Sequence, residues 1–249
     1  IEIFEDALSE KVSKSELILL RKTQSQIAEI VQDFGNLLGV GTSGKTVTYE
    51  VAKPHIADKK LYITRHKLVA QVQQRLAETD FLLIKGSTGM GKSLLSLEAV
   101  ESNRDNWRWI SYRGLKGAQI REKLGGLINV ISHDTNNFIL DDINFDNEYS
   151  VYEESFKRLV DLLRSNGNKV IVTSQKTIPS WLGSKLNLSA RNEINISNFD
   201  TDEIIKLLKL NSCPETDLNL WVKDIQITTR SHPQLVHARV RRLAQERWD

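Results

Sequence analysis

The segment FLLIKGSTGMGKSLLSLEAV, residues 81–100, constrains the fold more than any other part of the sequence. Its apolar start predicts a short buried strand, a glycine-rich turn follows, and the leucine-rich stretch after Lys92 predicts a helix. The turn fits the pattern G-x-x-x-x-G-K-[ST] at each fixed position. A strand, a glycine turn and a helix start in this order gather backbone N–H groups around one point, which favours binding of a phosphate group.

This segment predicts a nucleotide site in which the lysine bridges the phosphates and the serine hydroxyl binds Mg²⁺. We therefore expect ATP or ADP as the ligand and Mg²⁺ as the cofactor, with Lys92 also acting in catalysis. The residues predicted to contact the nucleotide are Gly86, Ser87, Thr88, Gly89, Met90, Gly91, Lys92, Ser93 and Leu94.

The same pattern occurs once more, at residues 39–46 in LGVGTSGKTV. Here the chain before the glycines has a helical pattern, and β-branched residues and a proline follow Lys45. No helix is therefore expected to present its N-terminus to a phosphate. We predict that this copy is a glycine turn leading into an edge strand over 47–51, and that only residues 86–93 bind a nucleotide.

From residue 61 the hydrophobic pattern alternates between strands and helices. Strands are predicted at FLLIK, WRWISY, FILDD and KVIVTS, with helices at RHKLVAQVQQRLA, KSLLSLEAVES, AQIREKLGGLINVI and YEESFKRLVDLLRS. Such alternation indicates βαβ units and a mostly parallel sheet. The predicted fold class is α/β, a three-layer αβα phosphate-loop NTPase domain.

Three parts are predicted along the chain. Residues 1–60 form an N-terminal extension with an amphipathic helix over 15–38 and a short strand, residues 61–195 form the nucleotide-binding domain, and residues 196–249 form a small lid of three helices. The chain starts at Ile1, and Met90 is its single methionine. We therefore expect a piece of a longer protein.

Two adjacent carboxylates end the predicted strand FILDD. In a phosphate-loop protein the first, Asp141, is expected to hold Mg²⁺ together with Ser93, and the second, Asp142, to orient or deprotonate the attacking water. The next apolar strand, KVIVTS, ends in Thr173 and Ser174, whose hydroxyls are predicted to sense the γ-phosphate.

Composition limits the partners and the compartment. The net charge of +2 is too small to indicate a nucleic-acid or membrane partner, so nucleic acid is possible but not favoured. Cys213 is the single cysteine, which suits a reducing environment, and the apolar runs are too short to span a bilayer. We expect a cytoplasmic protein without a membrane partner.

From about Tyr62 to Leu243 the chain resembles the STAND-type signalling ATPases, relatives of AAA+ proteins that include the NB-ARC and NACHT switches. The resemblance rests on YITRHKLVAQVQQRL, GSTGMGKS, FILDDIN, KVIVTSQ, ISNFDTDEIIKLL and TTRSHPQLVHARVRRLA, in this order. It implies that Pro233 faces the nucleotide base and that Arg65 frames the base from the other side. Two positions depart from the family's pattern: Ser231 stands where many members have glycine, and Gln175 stands where arginine is common.

The resemblance implies an ATP- or ADP-binding switch with slow Mg²⁺-dependent hydrolysis. Nucleotide would control self-association of a larger signalling protein, in bacteria often one that defends against phage. The alternative is an AAA+ ATPase acting on DNA, of the origin-recognition or helicase-loading type. Asp142, where those proteins usually have glutamate, and the weak net charge favour the first interpretation.

Overall fold

The computed structural model describes residues 50–51, 63–131, 135–146 and 148–248. The helix predicted over 15–38 and the glycine pattern at 39–46 lie outside these residues. Of the strand predicted over 47–51, the structure describes Glu50–Val51 (β1).

The predicted alternation of strands and helices is confirmed. The later strands are β2 (Phe81–Lys85), β3 (Trp107–Ser111), β4 (Asn137–Asp141), β5 (Val170–Ser174) and β6 (Glu193–Asn195). The α-helices are α1 (His66–Glu78), α2 (Lys92–Ala99), α3 (Gly117–Val130), α4 (Glu153–Ser165), α5 (Ser180–Lys185), α6 (Thr201–Leu210), α7 (Leu218–Thr229) and α8 (Pro233–Gln245). Single turns of 3₁₀-helix cover Tyr149–Val151 and Ala190–Asn192, and a longer one covers Glu101–Asn106. The sequence did not predict β6 and α5, because both are too short to show a hydrophobic period.

The sheet has the strand order β1-β3-β4-β5-β2-β6. Strands β2 to β6 run parallel, and β1 pairs antiparallel with β3 at one edge. The predicted α/β class is confirmed. Because β2 lies between β5 and β6, its carboxyl end, where the glycine loop starts, is in the interior of the sheet.

Both faces of the sheet are covered, so its central strands each contain a run of three or more apolar residues. Along β2, Phe81 and Leu83 pack with residues of α3, α4 and α5, whereas Leu82 and Ile84 pack on the opposite face with residues of α1 and α2. This alternation follows from the twofold side-chain period of a strand. The apolar cores on the two faces hold the strands in place, so that the carboxyl ends of β2, β4 and β5 lie side by side at one edge of the sheet.

The three helices predicted after residue 196 are α6, α7 and α8, and they form the lid. They share an apolar core that also contains Ile63 and Phe199. Asp200 caps α6: its side chain accepts a hydrogen bond from the N–H of Glu203, whose side chain accepts one from the N–H of Asp200. Ile63 precedes α1, so the segment before the first helix of the nucleotide-binding domain also contributes to the lid core. The domain limits at residues 60 and 195 remain predictions.

No helix in the part of the chain that the structure describes is long and apolar enough to cross a membrane.

Candidate nucleotide-binding site

The glycine loop joins β2 to α2, as its pattern predicts. Gly91 is the residue before the helix and has a left-handed φ of 88°, which only glycine adopts without strain. No described side chain caps the N-terminus of α2. Its first N–H groups have no partner within the helix, and they face the loop. This arrangement provides the donors that a phosphate group needs.

Gly89 is required for space as well as for conformation. Its φ is 80°, and a Cβ atom added there would lie 2.1 Å from Oε1 and 2.7 Å from Cβ of Gln234. Gln234 is the second residue of α8, so the lid packs directly on the glycine loop. Ser87 and Thr88, at the top of the loop, are exposed, whereas Met90 is buried in the core that contains residues of α1 and α2.

Lys92 lies across the loop. Its Nζ donates hydrogen bonds to the carbonyl oxygens of Gly86 at 2.8 Å and Ser87 at 3.0 Å. Burial lowers the pKa of this ammonium group, while the nearby carboxylates of Asp142 and Asp141 oppose that shift. A cation is thus held beside the first turn of α2.

Ser93, Asp141 and Thr173 form one hydrogen-bonded group. Ser93 Oγ and Thr173 Oγ1 each donate to Asp141 Oδ1, both at 2.7 Å. Burial raises the pKa of Asp141, whose side chain is 2% exposed, and the two hydroxyl donors and Arg113 act in the opposite direction. The two residues predicted to bind Mg²⁺ are therefore adjacent.

Asp142 has a left-handed backbone with φ of 63°, a conformation that aspartate tolerates better than most residues. Its N–H donates to Thr173 Oγ1 at 2.8 Å, which fixes the turn after β4. Its side chain is 22% exposed, so it reaches solvent where Asp141 does not. The two adjacent carboxylates thus occupy different environments.

Thr173 and Ser174 are fully buried. The Thr173 hydroxyl donates to the Asp141 carboxylate and accepts from the backbone N–H of Asp142. Ser174 Oγ accepts a hydrogen bond from the N–H of Lys176 at 3.1 Å. The Ser174 carbonyl accepts from the N–H of Gly86 at 3.2 Å, which ties β5 to the loop. Sensing of the γ-phosphate by these two hydroxyls remains a prediction.

An apolar cavity of about 210 Å³ adjoins the loop, between α2 and the lid. Leu94, Pro233 and Arg65, three residues predicted to contact the nucleotide, line it. Its other lining residues are Ile63, Gly89, Met90, Gly91, Leu95, Glu98, Phe199 and His237. Glu98 accepts a hydrogen bond from Thr64 Oγ1 at 2.7 Å, and burial raises the pKa of its carboxyl group.

The guanidinium of Arg65 is engaged with protein groups. It forms hydrogen bonds to both carboxylate oxygens of Glu203, at 2.8 and 3.0 Å, and to the carbonyl oxygens of Ser197 and Asn198. It also lies 5.1 Å from the centre of the Phe199 ring. Arg65 thus joins the segment before α1 to the lid, and framing of the base by its side chain remains a prediction.

The turn before α8 keeps a glycine-like backbone although it carries Ser231. Ser231 has a φ of 58° and Arg230 a φ of 51°, both in the left-handed region. The Ser231 carbonyl accepts a hydrogen bond from the N–H of Phe199 at 2.9 Å. The conformation that glycine adopts freely is therefore present here, at a cost of about 1 kcal/mol for a residue with a side chain.

The donor set fits Mg²⁺ bound together with a phosphate. Mg²⁺ prefers oxygen ligands and usually takes one or two carboxylates, with water and phosphate oxygens completing its shell. Ser93 and Asp141 supply a hydroxyl and a carboxylate 2.7 Å apart. The described residues contain no cluster of three or more His, Cys, Asp or Glu side chains suited to a metal, which is consistent with a site that a phosphate would complete.

Comparison with known proteins supports the fold. No protein-family model matches the chain, and no curated protein matches it. Among solved structures, Cdc6 from Pyrobaculum aerophilum superposes with a TM-score of 0.52 at 15% identity, over 79% of this chain and 65% of that chain. AMPPCP-bound DnaA from Aquifex aeolicus gives a TM-score of 0.52 at 15% identity, over 75% of this chain and 65% of that chain. A Walker-type ATPase of Pyrococcus abyssi gives a TM-score of 0.52 at 16% identity, over 79% of this chain and 75% of that chain.

At these identities the likeness shows the fold alone: a parallel α/β sheet with flanking helices, shared with these ATPases. The match spans only 65% of the Cdc6 and DnaA chains. The narrower STAND assignment remains a prediction.

Sequence reasoning missed three residues at this site: Arg113, Glu98 and Gln234. Arg113 lies beside both aspartates, Glu98 lines the cavity, and Gln234 contacts the loop. Arg113 and Gln234 reach the site through the packing of separate elements, for which a local pattern gives no signal. Glu98 lies on α2 four residues after the predicted contact Leu94, so helical spacing could have placed it on the same face.

Proposed function

We propose that this chain is the nucleotide-binding core of an ATPase, with the phosphates of ATP or ADP on residues 86–93 and the base in the apolar cavity. The observation that carries the proposal is the 2.7 Å hydrogen bond from Ser93 to Asp141, which unites the glycine loop with the end of β4. A glycine turn without this carboxylate would bind an anion but would lack the second metal ligand.

The chemistry follows from the chain's own groups. Lys92 supplies a positive charge beside the phosphates, and Ser93 and Asp141 would hold Mg²⁺, which would stabilise the negative charge that develops on the phosphates. The Asp142 side chain reaches solvent and its backbone N–H donates to the Thr173 hydroxyl, so this carboxylate is suited to orient a water molecule and take its proton. Thr173 and Ser174 would sense the γ-phosphate, Thr173 through its contact with both aspartates.

We further propose that the nucleotide acts as a switch. The cavity has walls from the sheet domain, Leu94 and Met90, and from the lid, Phe199 and Pro233. A ligand bound there touches both parts, so its binding free energy depends on how the lid packs. Slow hydrolysis and nucleotide-controlled self-association of a larger signalling protein, such as one in antiviral defence, rest on the STAND resemblance.

Equilibrium titration tests the core proposal. We expect the chain to bind ADP and ATP in the presence of Mg²⁺, and to release phosphate from ATP slowly and only with the metal. Light scattering with each nucleotide tests self-association, for which we expect a larger particle with ATP than with ADP. Absence of any nucleotide binding would contradict the proposal.

A DNA-acting ATPase is the second candidate, because the fold is similar to that of the replication initiator DnaA. One matching structure is of DnaA bound to AMPPCP and single-stranded DNA. Fluorescence anisotropy with single- and double-stranded oligonucleotides at several salt concentrations separates the candidates. A salt-dependent affinity would favour this second function, and nucleotide binding without DNA affinity would favour the switch.

A further inference from the structure

Arg113 stands at the end of β3, next to the two aspartates. Ser111 pairs with Asp141 across β3 and β4, and the N–H of Tyr112 donates to the Asp141 carbonyl at 2.7 Å. The backbone before Arg113 is therefore fixed relative to β4. The Arg113 side chain is nevertheless 68% exposed, so it is free to change conformation at little cost.

The guanidinium of Arg113 lies over the groups that would bind the metal. Nη2 is 3.7 Å from Asp141 Oδ2 and 3.5 Å from Ser93 Oγ, and Nε is 3.6 Å from Asp142 Oδ2. These distances are longer than those of strong hydrogen bonds. The guanidinium thus offsets part of the charge of the two carboxylates without being locked to them.

Among the described residues, Arg113 is the cation that forms ion pairs with Asp141 and Asp142. The other nearby cation, Lys92, directs its hydrogen bonds to the carbonyls of Gly86 and Ser87. Removing Arg113 would therefore leave more of the negative charge of these two adjacent carboxylates uncompensated, and would raise their attraction for any other cation.

We propose that Arg113 is a specificity-determining residue of the metal site: it is the resident counter-ion of Asp141 and Asp142 and competes with Mg²⁺ for them. This inference rests on the proposed function, because it assumes the metal site formed by Ser93 and Asp141. A divalent cation held by Ser93 and Asp141 would lie beside the side-chain oxygens that Arg113 Nη2 approaches, to 3.5 Å from Ser93 Oγ and 3.7 Å from Asp141 Oδ2. The guanidinium and the metal cannot then share this space, so Arg113 must turn away when the metal binds. Arg113 thereby sets the metal concentration at which the site fills.

The test uses Mn²⁺ as the probe, titrated into the nucleotide-free chain in the presence of inorganic phosphate and followed by electron paramagnetic resonance of the free ion. Arg113→Ala is expected to bind Mn²⁺ about threefold to tenfold more tightly than the wild type, the range expected for two partly exposed ion pairs. Arg113→Lys keeps the charge and should stay near the wild type. The matched control is Arg121→Ala, an exposed arginine on α3, which should change nothing.

Unchanged or weaker Mn²⁺ binding by Arg113→Ala, or no Mn²⁺ binding by either protein, would overturn the inference. In the double variant Arg113→Ala/Asp141→Asn the gain in Mn²⁺ affinity should disappear, since the site loses its carboxylate ligand. A gain in affinity that persists would place the metal elsewhere and would also overturn the inference. A separate titration of the wild type with ADP in EDTA reports on the proposed function. Failure of that titration is thus distinguishable from failure of the Arg113 inference.

Discussion

The two ends of the candidate site differ in how their groups are paired. At the phosphate end, formed by Lys92, Ser93, Asp141 and Asp142, each polar group has a partner in the protein. At the base end, formed by Leu94, Phe199 and Pro233, the walls are apolar and come from two parts of the chain. In the function that we propose, the phosphate end would provide affinity and chemistry, whereas the base end would select the base and contact the lid.

The strongest test of the phosphate end is Lys92→Ala. We expect this variant to lose ADP affinity by about 100-fold or more, because charge-assisted hydrogen bonds to phosphate are among the strongest in proteins. Calorimetric titration measures the loss. The control is Lys45→Ala, in the other copy of the glycine pattern, which should bind ADP as the wild type does. The reverse result would assign the nucleotide to residues 39–46.

Arg65→Ala tests whether the base end depends on the lid. Arg65 is 10% exposed and paired with Glu203, and breaking such a pair should lower the free energy of unfolding by about 2–4 kcal/mol. Urea denaturation measures this change. Lys67→Ala is the matched control, since Lys67 also pairs with the lid, at Asp200, but is 90% exposed and 3.8 Å from it. Equal effects of the two substitutions would show that Arg65 does not hold the lid.

Asp142→Asn separates binding from chemistry within the phosphate end. The amide keeps the size of the side chain but cannot take a proton, so ATP affinity should persist while phosphate release falls about 100-fold. A single-turnover assay measures the rate. Asp161→Asn, at an exposed ion pair on α4, should behave as the wild type. Undiminished phosphate release by Asp142→Asn would remove Asp142 from the reaction.

Leu94→Ala should give the smallest effect. The loss of apolar contact at the base end should weaken ADP binding about tenfold. Pyrophosphate, which has no base, should bind with unchanged affinity in a competition titration. Leu210→Ala, an exposed lid leucine, is the control. Equal weakening of ADP and pyrophosphate would show that the two ends are not independent.

Local patterns predicted the parts of the site that lie within one strand–loop–helix segment. The apolar run Phe81–Ile84 and the left-handed glycines at 89 and 91 determine the loop, because a buried strand and a left-handed φ angle are local properties. The position of Asp141 beside Ser93 depends on the order of the strands in the sheet. The alternation of strands and helices in the sequence indicated that the sheet is parallel, but it did not give that order.

The remaining contacts depend on distant parts of the chain. The partner of Arg65 is Glu203, 138 residues away, and Gln234 reaches Gly89 only after the lid has folded. Arg113 meets the aspartates because β3 and β4 are neighbours in register. A single sequence gives no pairing information at such separations, so these roles could not be predicted.

A crystal structure of the chain with ADP and Mg²⁺ tests the proposed site most directly. We expect the β-phosphate within hydrogen-bonding distance of the N–H groups of residues 89–93 and of Lys92 Nζ. We also expect the metal between Ser93 and Asp141, and the base against Leu94 and Pro233. A nucleotide bound at any other place, or phosphates on residues 86–93 with the base outside the cavity, would contradict the proposal.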